Sequence, residues 1–439
     1  MNKKLASPRR LVATVVLACA AGGLLVNGAF AASAKTAKSA AITVWVDAPR
    51  VPAVKAFEKA YPNIPVKLNV NNDLPGASQL EQKFALFNQA GGGWPDAIFF
   101  PDNDDVSWAS SAKIHYTANL APLLPAKIKA GYAKAAISPC VQGAAWVCVR
   151  NDVAPDVLWY NATLFKQWGY TPPTTWPQYE SLSLQIAKDH PGYFTGMLGD
   201  AYAPDRYLWA SGCPTNDQLS ATVIHINLSD PKCTRAETML DALLAAKVVS
   251  PVGIFDTAAA STVGPKLVMT PGATWYGDYL FRDTYKIPKG QMTATTPLKW
   301  PGEPVYTGDE GGGLWGGSSH IHGQELKNTI TFLDFVVADP RWQVALTTGL
   351  PAWTPDQSKW LTNADKDGYF ANFPQLKQAF HTAVGAVRPG HVWLQYNTGA
   401  IWTQVVTPAI TAGQTLASVW TSFTSTLVGT AQSVGYTIK

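Results

Sequence analysis

The stretch LWYNATLFKQWGYTPPTTWPQYESL, residues 158–182, predicts two capped helices joined by a rigid turn. The Asn161 side chain can cap the first helix, and Gly169 can end it, because glycine accepts the left-handed conformation without strain. The two prolines that follow prevent further helix. Thr175 precedes Gln178 by three residues, which is the capping-box spacing at the start of a second helix.

Upstream of this stretch, the pattern of apolar residues predicts alternating strands and helices. Strands are predicted at residues 42–47, 66–71 and 95–100, and amphipathic helices at residues 51–61 and 79–90. Strands that alternate with helices are typical of a parallel α/β sheet. The chain is also too long for one ordinary core, which predicts about two domains.

Several motifs resemble those of the bacterial extracellular solute-binding proteins of sugar ABC importers, the maltose-binding-protein-like group. Residues 158–182 resemble the family's YN…LF…G…PPTTW pattern, and FEKAYPNIPV at residues 57–66 resembles its FEK.YP.I.V pattern. GWPD at residues 93–96, GGGLW at residues 311–315 and TGLPA at residues 348–352 match three further motifs. The resemblance covers most of residues 41–439.

The resemblance implies an α/β fold of two lobes, the type II periplasmic-binding-protein fold, with a hinge and a ligand cleft between the lobes. The first lobe would comprise residues 41–153 plus 307–352, and the second lobe residues 154–306 plus 353–439. The proline-rich segments 152–155, 301–304 and 351–355 are candidates for the hinge crossings. The implied function is capture of a carbohydrate, an oligosaccharide by its aromatic content, and its delivery to the permease subunits of an ABC transporter. The resemblance also implies that the protein is a monomer, needs no cofactor and is not an enzyme.

The N-terminal residues have the pattern of an export signal. Residues 1–31 combine basic residues, an apolar run and the small-residue site Ala29-Phe30-Ala31, and residues 32–40 predict a disordered leader. A lipoprotein signal acylated at Cys19 is the alternative, although the residues after Cys19 are apolar, whereas a membrane tether should be polar. Both alternatives place the protein in the periplasm or at the cell surface.

The net charge argues against two classes of partner. The chain has 34 basic and 30 acidic residues. Residues 1–31 hold four of the basic residues and no acidic ones, so 34 minus 4 leaves 30 basic against 30 acidic residues. An electrically balanced chain offers no electrostatic reason to bind nucleic acid or an anionic membrane.

Four cysteines remain after the signal, namely Cys140, Cys148, Cys213 and Cys233. An even number in an oxidising compartment predicts two disulfides, and the sequence-local pairs, 140 with 148 and 213 with 233, are the simplest of three connectivities. A zinc site is the weaker alternative, because neither spacing is a tight Cys-x-x-Cys and no histidine lies suitably near.

Tryptophan is abundant, with 17 residues. Aromatic rings that stack on sugar C–H faces, with carboxylates and amides around them, are the chemistry of a sugar cleft, although any single ring can equally be core. Ligands of open parallel sheets lie beyond the carboxyl ends of strands. In the first lobe this rule and the resemblance nominate Trp45, Asp47, Arg50, Phe100, Asp102, Asn103 and Trp108. The acids at 102–105 could instead cap a helix through Asp104 or Asp105, or form a calcium loop, although the closing Glu is absent.

The resemblance extends the candidate site into the second lobe and the C-terminal part. It nominates Tyr193, Tyr202, Trp275, Tyr276, Trp393 and Trp402, with Trp275 the foremost of them. Trp315 is added because the glycines beside it would let a ligand approach the backbone closely.

No catalytic or metal motif stands out in the sequence. A nucleophile elbow, a His-Glu-x-x-His site and a phosphate loop are absent, and no carboxylate pair is singled out for glycoside hydrolysis. The His320-Ile-His322 pair lacks a third metal ligand in the sequence around it, so surface histidines are expected and no metal. Two alternatives stay open: an exported carbohydrate-active enzyme, and the same fold binding a polyol, glycerol phosphate, a peptide or a metal complex.

Overall fold

The computed structural model describes residues 39–71, 78–390 and 394–439. The predicted signal peptide, Cys19 and residues 32–38 of the predicted leader lie outside these ranges. The prediction of disorder is wrong for Ser39 and Ala40, because both are held by hydrogen bonds. The amide N of Ser39 donates to the carbonyl O of Asn63 at 3.0 Å, and Asn328 Nδ2 donates to the carbonyl O of Ala40 at 2.6 Å.

The strands of the described residues are short and are distributed over several sheets. Their bounds are β1 Ile42–Val46, β2 Val66–Val70, β3 Ala97–Phe100, β4 Val141–Gln142, β5 Ala145–Trp146, β6 Val149–Arg150, β7 Asp152–Val153, β8 Asp156–Asn161, β9 Gly196–Met197, β10 Asp217–Ser220, β11 Val223–His225, β12 Val249–Ser250, β13 Met269–Ala273, β14 Met292–Thr295, β15 Leu314–Gly317, β16 Leu350–Pro351 and β17 Thr437–Ile438.

Helices connect and cover these strands. Their bounds are α1 Val51–Ala60, α2 Ser78–Ala90, α3 Asn103–Ala109, α4 Ala126–Ala130, α5 Lys134–Ile137, α6 Ala162–Trp168, α7 Trp176–Asp189, α8 Pro231–Ala245, α9 Thr257–Thr262, α10 Gly323–Ala338, α11 Pro340–Gln343, α12 Thr354–Ala364, α13 Phe373–Val384, α14 Thr398–Thr411 and α15 Leu416–Ser433. Two π-helical segments lie at Pro204–Trp209 and Gly277–Thr284. Within the part of the chain described, no helix is both long and apolar enough to cross a membrane.

The first sheet has the strand order β2-β1-β3-β15-β6. Strand β1 runs parallel to β2 and β3, which confirms the parallel α/β arrangement predicted for the start of the chain. Strand β15 returns late in the sequence and pairs antiparallel with β3 and β6. Strands β1, β3, β15 and β6 are almost entirely buried, whereas the edge strand β2 is partly exposed. Phe57, Trp315 and Phe332 belong to the core around this sheet.

The second part of the fold is built around the antiparallel sheet β13-β8-β14 and the smaller sheets β10-β11-β17 and β12-β9. Helices α8, α14 and α15 enclose a separate hydrophobic core that contains Leu240, Trp402 and Phe423.

Three chain segments lie side by side between the first sheet and the β13-β8-β14 sheet. Strand β7 pairs with β16, and Pro155 forms an antiparallel bridge with Asp309. These three are the crossing segments of the chain between the two parts of the fold. Two of them overlap the proline-rich stretches 152–155 and 351–355, and the third runs through Thr307 to Glu310. The stretch 301–304 is a turn whose Glu303 is paired with Arg235 of α8 at 2.6 Å.

The caps predicted at residues 158–182 are present. Asn161 Oδ1 accepts hydrogen bonds from the amides of residues 163 and 164, and Gly169 ends α6 with φ 74°. Thr175 Oγ1 accepts from the amide of Gln178 at the start of α7. The returning Gln178 Oε1 accepts from the amide of Thr174, one residue earlier than an ordinary capping box predicts.

Both predicted disulfides are confirmed. Cys140 is bonded to Cys148, with a Cα–Cα distance of 4.8 Å, and Cys213 to Cys233, with a Cα–Cα distance of 4.6 Å. The first bond holds the β4–β5 hairpin, and the second ties the segment before β10 to the first turn of α8.

Removal of the Cys213–Cys233 bond should lower the free energy of unfolding by about 3 kcal/mol, because the bond closes a loop in the unfolded chain. Its sequence separation is 20, against 8 for Cys140–Cys148, whose removal should cost roughly 2.5 kcal/mol. Urea denaturation of the two double-alanine variants measures both values. A midpoint unchanged from that of the wild type in both variants would contradict a stabilising role.

Candidate functional site

The main candidate site is a cavity of about 470 Å³ where the crossing segments meet the first and second parts of the fold. It is lined by Asp47, Ala48, Pro49, Arg50, Pro101, Asp152, Tyr202, Phe255, Trp275, Tyr279, Thr284, Glu310, Gly311, Gly312 and Thr348. These residues come from distant parts of the sequence, so folding alone brings them together. The volume lies in the range of small-molecule sites.

One wall of the cavity is aromatic. The Trp275 ring centroid lies 6.1 Å from Tyr202, 5.9 Å from Phe255 and 5.9 Å from Tyr279, and the planes of Trp275 and Phe255 differ by only 7°. Phe255 is 40% exposed, an unusual position for so large an apolar side chain. The Trp275 and Phe255 rings are thus nearly parallel, while Tyr202 and Tyr279 lie edge-on to Trp275, and together they give this side of the cavity an apolar surface.

A polar rim lies at the carboxyl end of β1. Asp47 Oδ1 accepts from the Arg50 amide at 3.2 Å and so caps a short 3₁₀ turn. Asp47 Oδ2 is paired with Arg50 Nη1 at 3.1 Å, and the guanidinium lies 4.1 Å over the Phe99 ring. Burial raises the pKa of Asp47, and the charge of Arg50 opposes that rise. The pair offers both hydrogen-bond donors and acceptors with little net charge.

Asp152 lies in the floor of the cavity, on the first crossing segment. Its Oδ1 accepts from Asn151 Nδ2 at 2.7 Å. Burial raises the pKa of Asp152, and Arg50 acts against this rise. A carboxyl group in this position can accept a hydrogen bond from a ligand or, when protonated, donate one.

A fully buried charged cluster lies directly behind the aromatic wall. Arg206 Nε donates to Glu310 Oε1 at 2.8 Å, and Arg206 Nη2 donates to Asp200 Oδ1 at 2.9 Å. Tyr276 Oη donates to Glu310 Oε2 at 2.7 Å. Burial lowers the pKa of Arg206, but the charges of Asp200 and Glu310 outweigh it and raise that pKa well above its ordinary value. Arg206 is therefore a permanent buried cation.

A second cavity, of about 420 Å³, is lined by two further candidates, Asp102 and Asn103. Asn397 Nδ2, at the start of α14, donates to Asp102 Oδ2 at 3.2 Å. The residues nominated at the ends of β1 and β3 are thus divided between two cavities. Among the sequence candidates, the main cavity contains Asp47, Arg50, Tyr202 and Trp275.

Three nominated aromatic residues lie in the core around the first sheet and line neither cavity. Trp315 is fully buried in β15, Phe100 is fully buried in β3, and Trp45 is 9% exposed in β1. The Trp315 indole N–H donates to Asn151 Oδ1 at 3.1 Å. Gly311 and Gly312, just before Trp315, do line the main cavity, but the Trp315 ring is buried in the core, and none of these three rings is among the lining residues.

The remaining nominated rings also have structural partners. Trp402 is fully buried in α14 and donates to the carbonyl O of Leu198 at 2.9 Å. Trp108 packs edge-on against Phe84. Tyr193 lies edge-on to Trp168, whose ring stacks on His190. Tyr276 belongs to the charged cluster and is fully buried. Trp393 lies outside the described residues.

The acidic run after β3 leads into helix α3, and the two residues predicted as caps lie inside that helix. Asp102 occupies the N-cap position of α3, without a side-chain capping bond, and Asp104 and Asp105 lie in the first turn. The described residues contain no group of three or more His, Cys, Asp or Glu side chains arranged to hold a metal. His320 stacks on Trp94 with ring centroids 3.7 Å apart, and burial lowers its pKa.

Several lining residues belong to no motif in the sequence, and Phe255, Tyr279, Glu310 and Thr348 are the clearest of them. Phe255 lies two residues after Gly253 in the loop after β12, and Tyr279 lies four residues after Trp275. The spacing of Tyr279 from Trp275 was a usable signal, since residues four apart share a helix face. Glu310 immediately precedes Gly311, Gly312 and Gly313, and only these glycines were used in the prediction of the site.

The comparisons with known proteins agree with this architecture. The sequence model of the bacterial extracellular solute-binding proteins matches residues 43–340. A search of curated proteins finds no match.

Solved structures share the fold. An ABC-transporter-associated binding protein from B. animalis subsp. lactis, in complex with β-1,6-galactobiose, has a TM-score of 0.74 at 17% identity, covering 92% of this chain and 100% of that chain. The galacto-N-biose/lacto-N-biose I-binding protein from Bifidobacterium longum, in complex with lacto-N-biose, has a TM-score of 0.74 at 18% identity, covering 92% and 99%. Maltose-bound MalE3 of T. maritima has a TM-score of 0.70 at 16% identity, covering 89% and 99%. At such identities the likeness establishes the two-lobed fold.

Proposed function

The chain belongs to the bacterial extracellular solute-binding proteins, as its motifs predicted, and from this premise we propose that it captures a carbohydrate in the main cavity and delivers it to the permease of an ABC transporter. The observation that carries the proposal is the aromatic wall of Tyr202, Phe255, Trp275 and Tyr279 facing the Asp47–Arg50 rim. Flat rings match the C–H faces of a pyranose, and the rim matches its hydroxyls.

The charge of the cavity favours a neutral ligand. Arg50 is the one basic residue in the lining, and its charge is already balanced by Asp47. A phosphate or a strongly anionic ligand would need additional cations. The volume of about 470 Å³ suits a disaccharide or another short oligosaccharide. The structural relatives bound to β-1,6-galactobiose, lacto-N-biose and maltose support the same ligand class.

Capture would proceed by hinge closure of the two lobes, which we divide at residues 41–153 plus 307–352 and residues 154–306 plus 353–439. A ligand stabilises the closed state only through contacts that are present in that state. Asp47 and Arg50 belong to the first of these lobes, and Phe255 and Trp275 to the second, so a ligand between them contacts both. The closed monomer, exported to the periplasm or the cell surface, would then be what the permease recognises.

A thermal-shift screen tests the proposal. A saccharide that binds only the folded state should raise the Tm, and a concentration of about 100 times Kd adds about 2.7 kcal/mol of stability. Maltose, lacto-N-biose and β-1,6-galactobiose are suitable first probes, with glycerol phosphate as the non-sugar comparison. A shift with glycerol phosphate and none with any saccharide would contradict carbohydrate capture.

The same incubations distinguish a receptor from a carbohydrate-active enzyme. Chromatography of the saccharides after incubation should show them intact. Cleavage that is abolished by a single Asp or Glu substitution would contradict a binding protein without catalytic activity.

A further inference from the structure

A third cavity, of about 540 Å³, is larger than the main cavity of about 470 Å³. No acidic or basic residue is among the described residues that line it. Its polar lining consists of hydroxyl and carboxamide side chains, which include Ser107, Ser110, Gln142, Gln218, Ser220 and Gln395. Such groups donate and accept hydrogen bonds without carrying a charge, so the cavity suits an uncharged ligand that is rich in hydroxyl groups.

Both proposed lobes contribute to the third cavity. Residues 107–143 of the lining belong to the first lobe, and residues 218–395 of the lining to the second. Asn397, two residues after Gln395, donates from Nδ2 to Asp102 Oδ2 at 3.2 Å, and this contact holds the start of α14 against the start of α3. A ligand in the third cavity would therefore contact both lobes, as a ligand in the main cavity would.

The second-lobe wall of the third cavity contains a β-bulge. In the β10–β11 ladder Gln218 pairs with Ile224 and Ser220 with Val223, so the register shifts between the two pairs. A regular strand would turn Leu219 to the face opposite Gln218 and Ser220. Here all three residues line the cavity, and Leu219 is 56% exposed. The bulge thus adds an apolar side chain to a polar lining, which favours a ligand with both C–H groups and hydroxyls.

Gln218 is the side chain best placed to bind a ligand in the third cavity. Its backbone amide donates to the carbonyl O of Gly390 at 2.9 Å, which fixes it against another lining residue. Its side-chain Oε1 is buried and accepts no hydrogen bond from the described residues. A buried acceptor without a donor costs free energy, and a ligand hydroxyl that donates to Gln218 would remove that cost.

Disulfides hold chain segments on both sides of the third cavity. The first disulfide holds the β4–β5 hairpin, which supplies residues 141–143 of the lining, and the second ties the segment before β10 to α8. In the first of these segments Gln142 Nε2 also donates to Ser110 Oγ at 2.6 Å. Walls that are fixed before binding lose little conformational entropy when a ligand enters.

The lining residues of the three cavities follow one another along two parts of the chain. Around the start of α3, Pro101 lines the main cavity, residues 102–103 the second and Ser107 the third. On the other side, Pro389 lines the second cavity and Gly390 the third. Helix α3 has seven residues and is therefore about 10 Å long. The second cavity thus lies between the main cavity and the third cavity.

We propose that the third cavity binds the far end of an oligosaccharide whose other end lies on the aromatic wall of the main cavity. The ligand is then a linear, uncharged chain longer than the disaccharide that the main cavity alone accommodates. The inference rests on the proposed function and deepens it by naming the length of the ligand. Hydrogen bonds from Gln218 and its neighbours hold the far end, since no aromatic residue is among the described residues that line the third cavity.

Isothermal titration calorimetry with saccharides of two lengths tests the inference. The probes are maltose with maltotetraose, and β-1,6-galactobiose with the corresponding tetrasaccharide. In the series that binds, the wild type should bind the tetrasaccharide about tenfold more tightly than the disaccharide, with one molecule per chain. Gln218→Ala should weaken binding of the tetrasaccharide about fivefold, the value of one hydrogen bond, and should leave binding of the disaccharide unchanged.

Three further variants complete the experiment. Ala221 is exposed and lines the third cavity, so the indole of Ala221→Trp should exclude the far end of the tetrasaccharide and leave the affinity for the disaccharide unchanged. Gln185 is exposed on α7 and lines none of the three cavities, so Gln185→Ala should bind both saccharides as the wild type does. Trp275→Ala should weaken binding of both saccharides by the same factor.

The outcomes separate this inference from the proposed function. Equal affinities of the wild type for the disaccharide and the tetrasaccharide, or equal losses for both in Gln218→Ala and Ala221→Trp, would overturn the inference and leave carbohydrate capture in place. Two disaccharides bound per chain would also overturn it, because the third cavity would then hold a separate molecule. Absence of binding by all four saccharides would contradict the proposed function and the inference together.

Discussion

Replacing Arg206 with methionine should lower the free energy of unfolding by about 3–5 kcal/mol, because it leaves buried carboxylates without their cation. Arg206 is fully buried, and its guanidinium donates to Asp200, to Glu310 and to the carbonyl O of Met197. Methionine fills much of the same volume, so the loss reports the charge more than a cavity. Urea denaturation monitored by circular dichroism measures the change.

Arg235 supplies a matched control. It forms an ion pair with Glu303 at 2.6 Å, but both side chains are about one quarter exposed. Solvent screens such a pair, and Arg235→Met should change the stability by no more than about 1 kcal/mol. Equal losses of unfolding free energy in Arg206→Met and Arg235→Met would contradict a larger electrostatic contribution from the buried cluster. If Arg206→Met does not accumulate as folded protein, Glu310→Gln provides a milder variant, since the amide oxygen still accepts from Arg206.

The sequence predicted the local features of the fold well, because their causes are local. The cap at Asn161, the left-handed Gly169 and the Thr175 cap each depend on residues within one or two helical turns. The same holds for the two disulfides, whose cysteines are 8 and 20 residues apart. Features of this kind are present in the sequence itself and need no knowledge of distant contacts.

The candidate site was predicted less well, because burial on both faces of an element hides which side a ring faces. Trp315 and Phe100 lie in strands that are buried on both faces, where no alternation of polar and apolar residues separates core from cavity. Trp402 lies in a largely apolar helix, where hydrophobicity alone does not mark the face that is buried. Asp47 and Arg50 lie in the cavity lining, in line with the strand-end rule, which applies to the edge of the sheet whatever covers its faces.

The residues that the sequence did not nominate share a different cause. Phe255 and Thr348 become neighbours of the cavity only because two chain crossings bring loops from distant segments to one place. Glu310 was missed because its role depends on Arg206, which is 104 residues away. Such contacts are non-local, and a single sequence holds no pattern that records them.

Replacing Trp275 with alanine should weaken binding of the saccharide that gives the largest thermal shift by about 100-fold, or about 2.7 kcal/mol. Trp275 touches the three other rings of the aromatic wall, and its removal leaves Phe255 without its stacking partner. Isothermal titration calorimetry measures the loss. Trp275→Phe should retain part of the affinity, because it keeps an aromatic face but lacks the N–H that reaches Glu310.

Trp168 is the matched control for Trp275. It is also a partly exposed tryptophan, but it stacks on His190 at the end of α6 and does not line the main cavity. Trp168→Ala should therefore bind the same saccharide with the affinity of the wild type, although it also loses an indole. An equal loss of affinity in both variants would point to a general effect on folding. Unchanged affinity in Trp275→Ala would place the ligand elsewhere, and the second cavity, lined by Asp102 and Asn103, would be the next site to test.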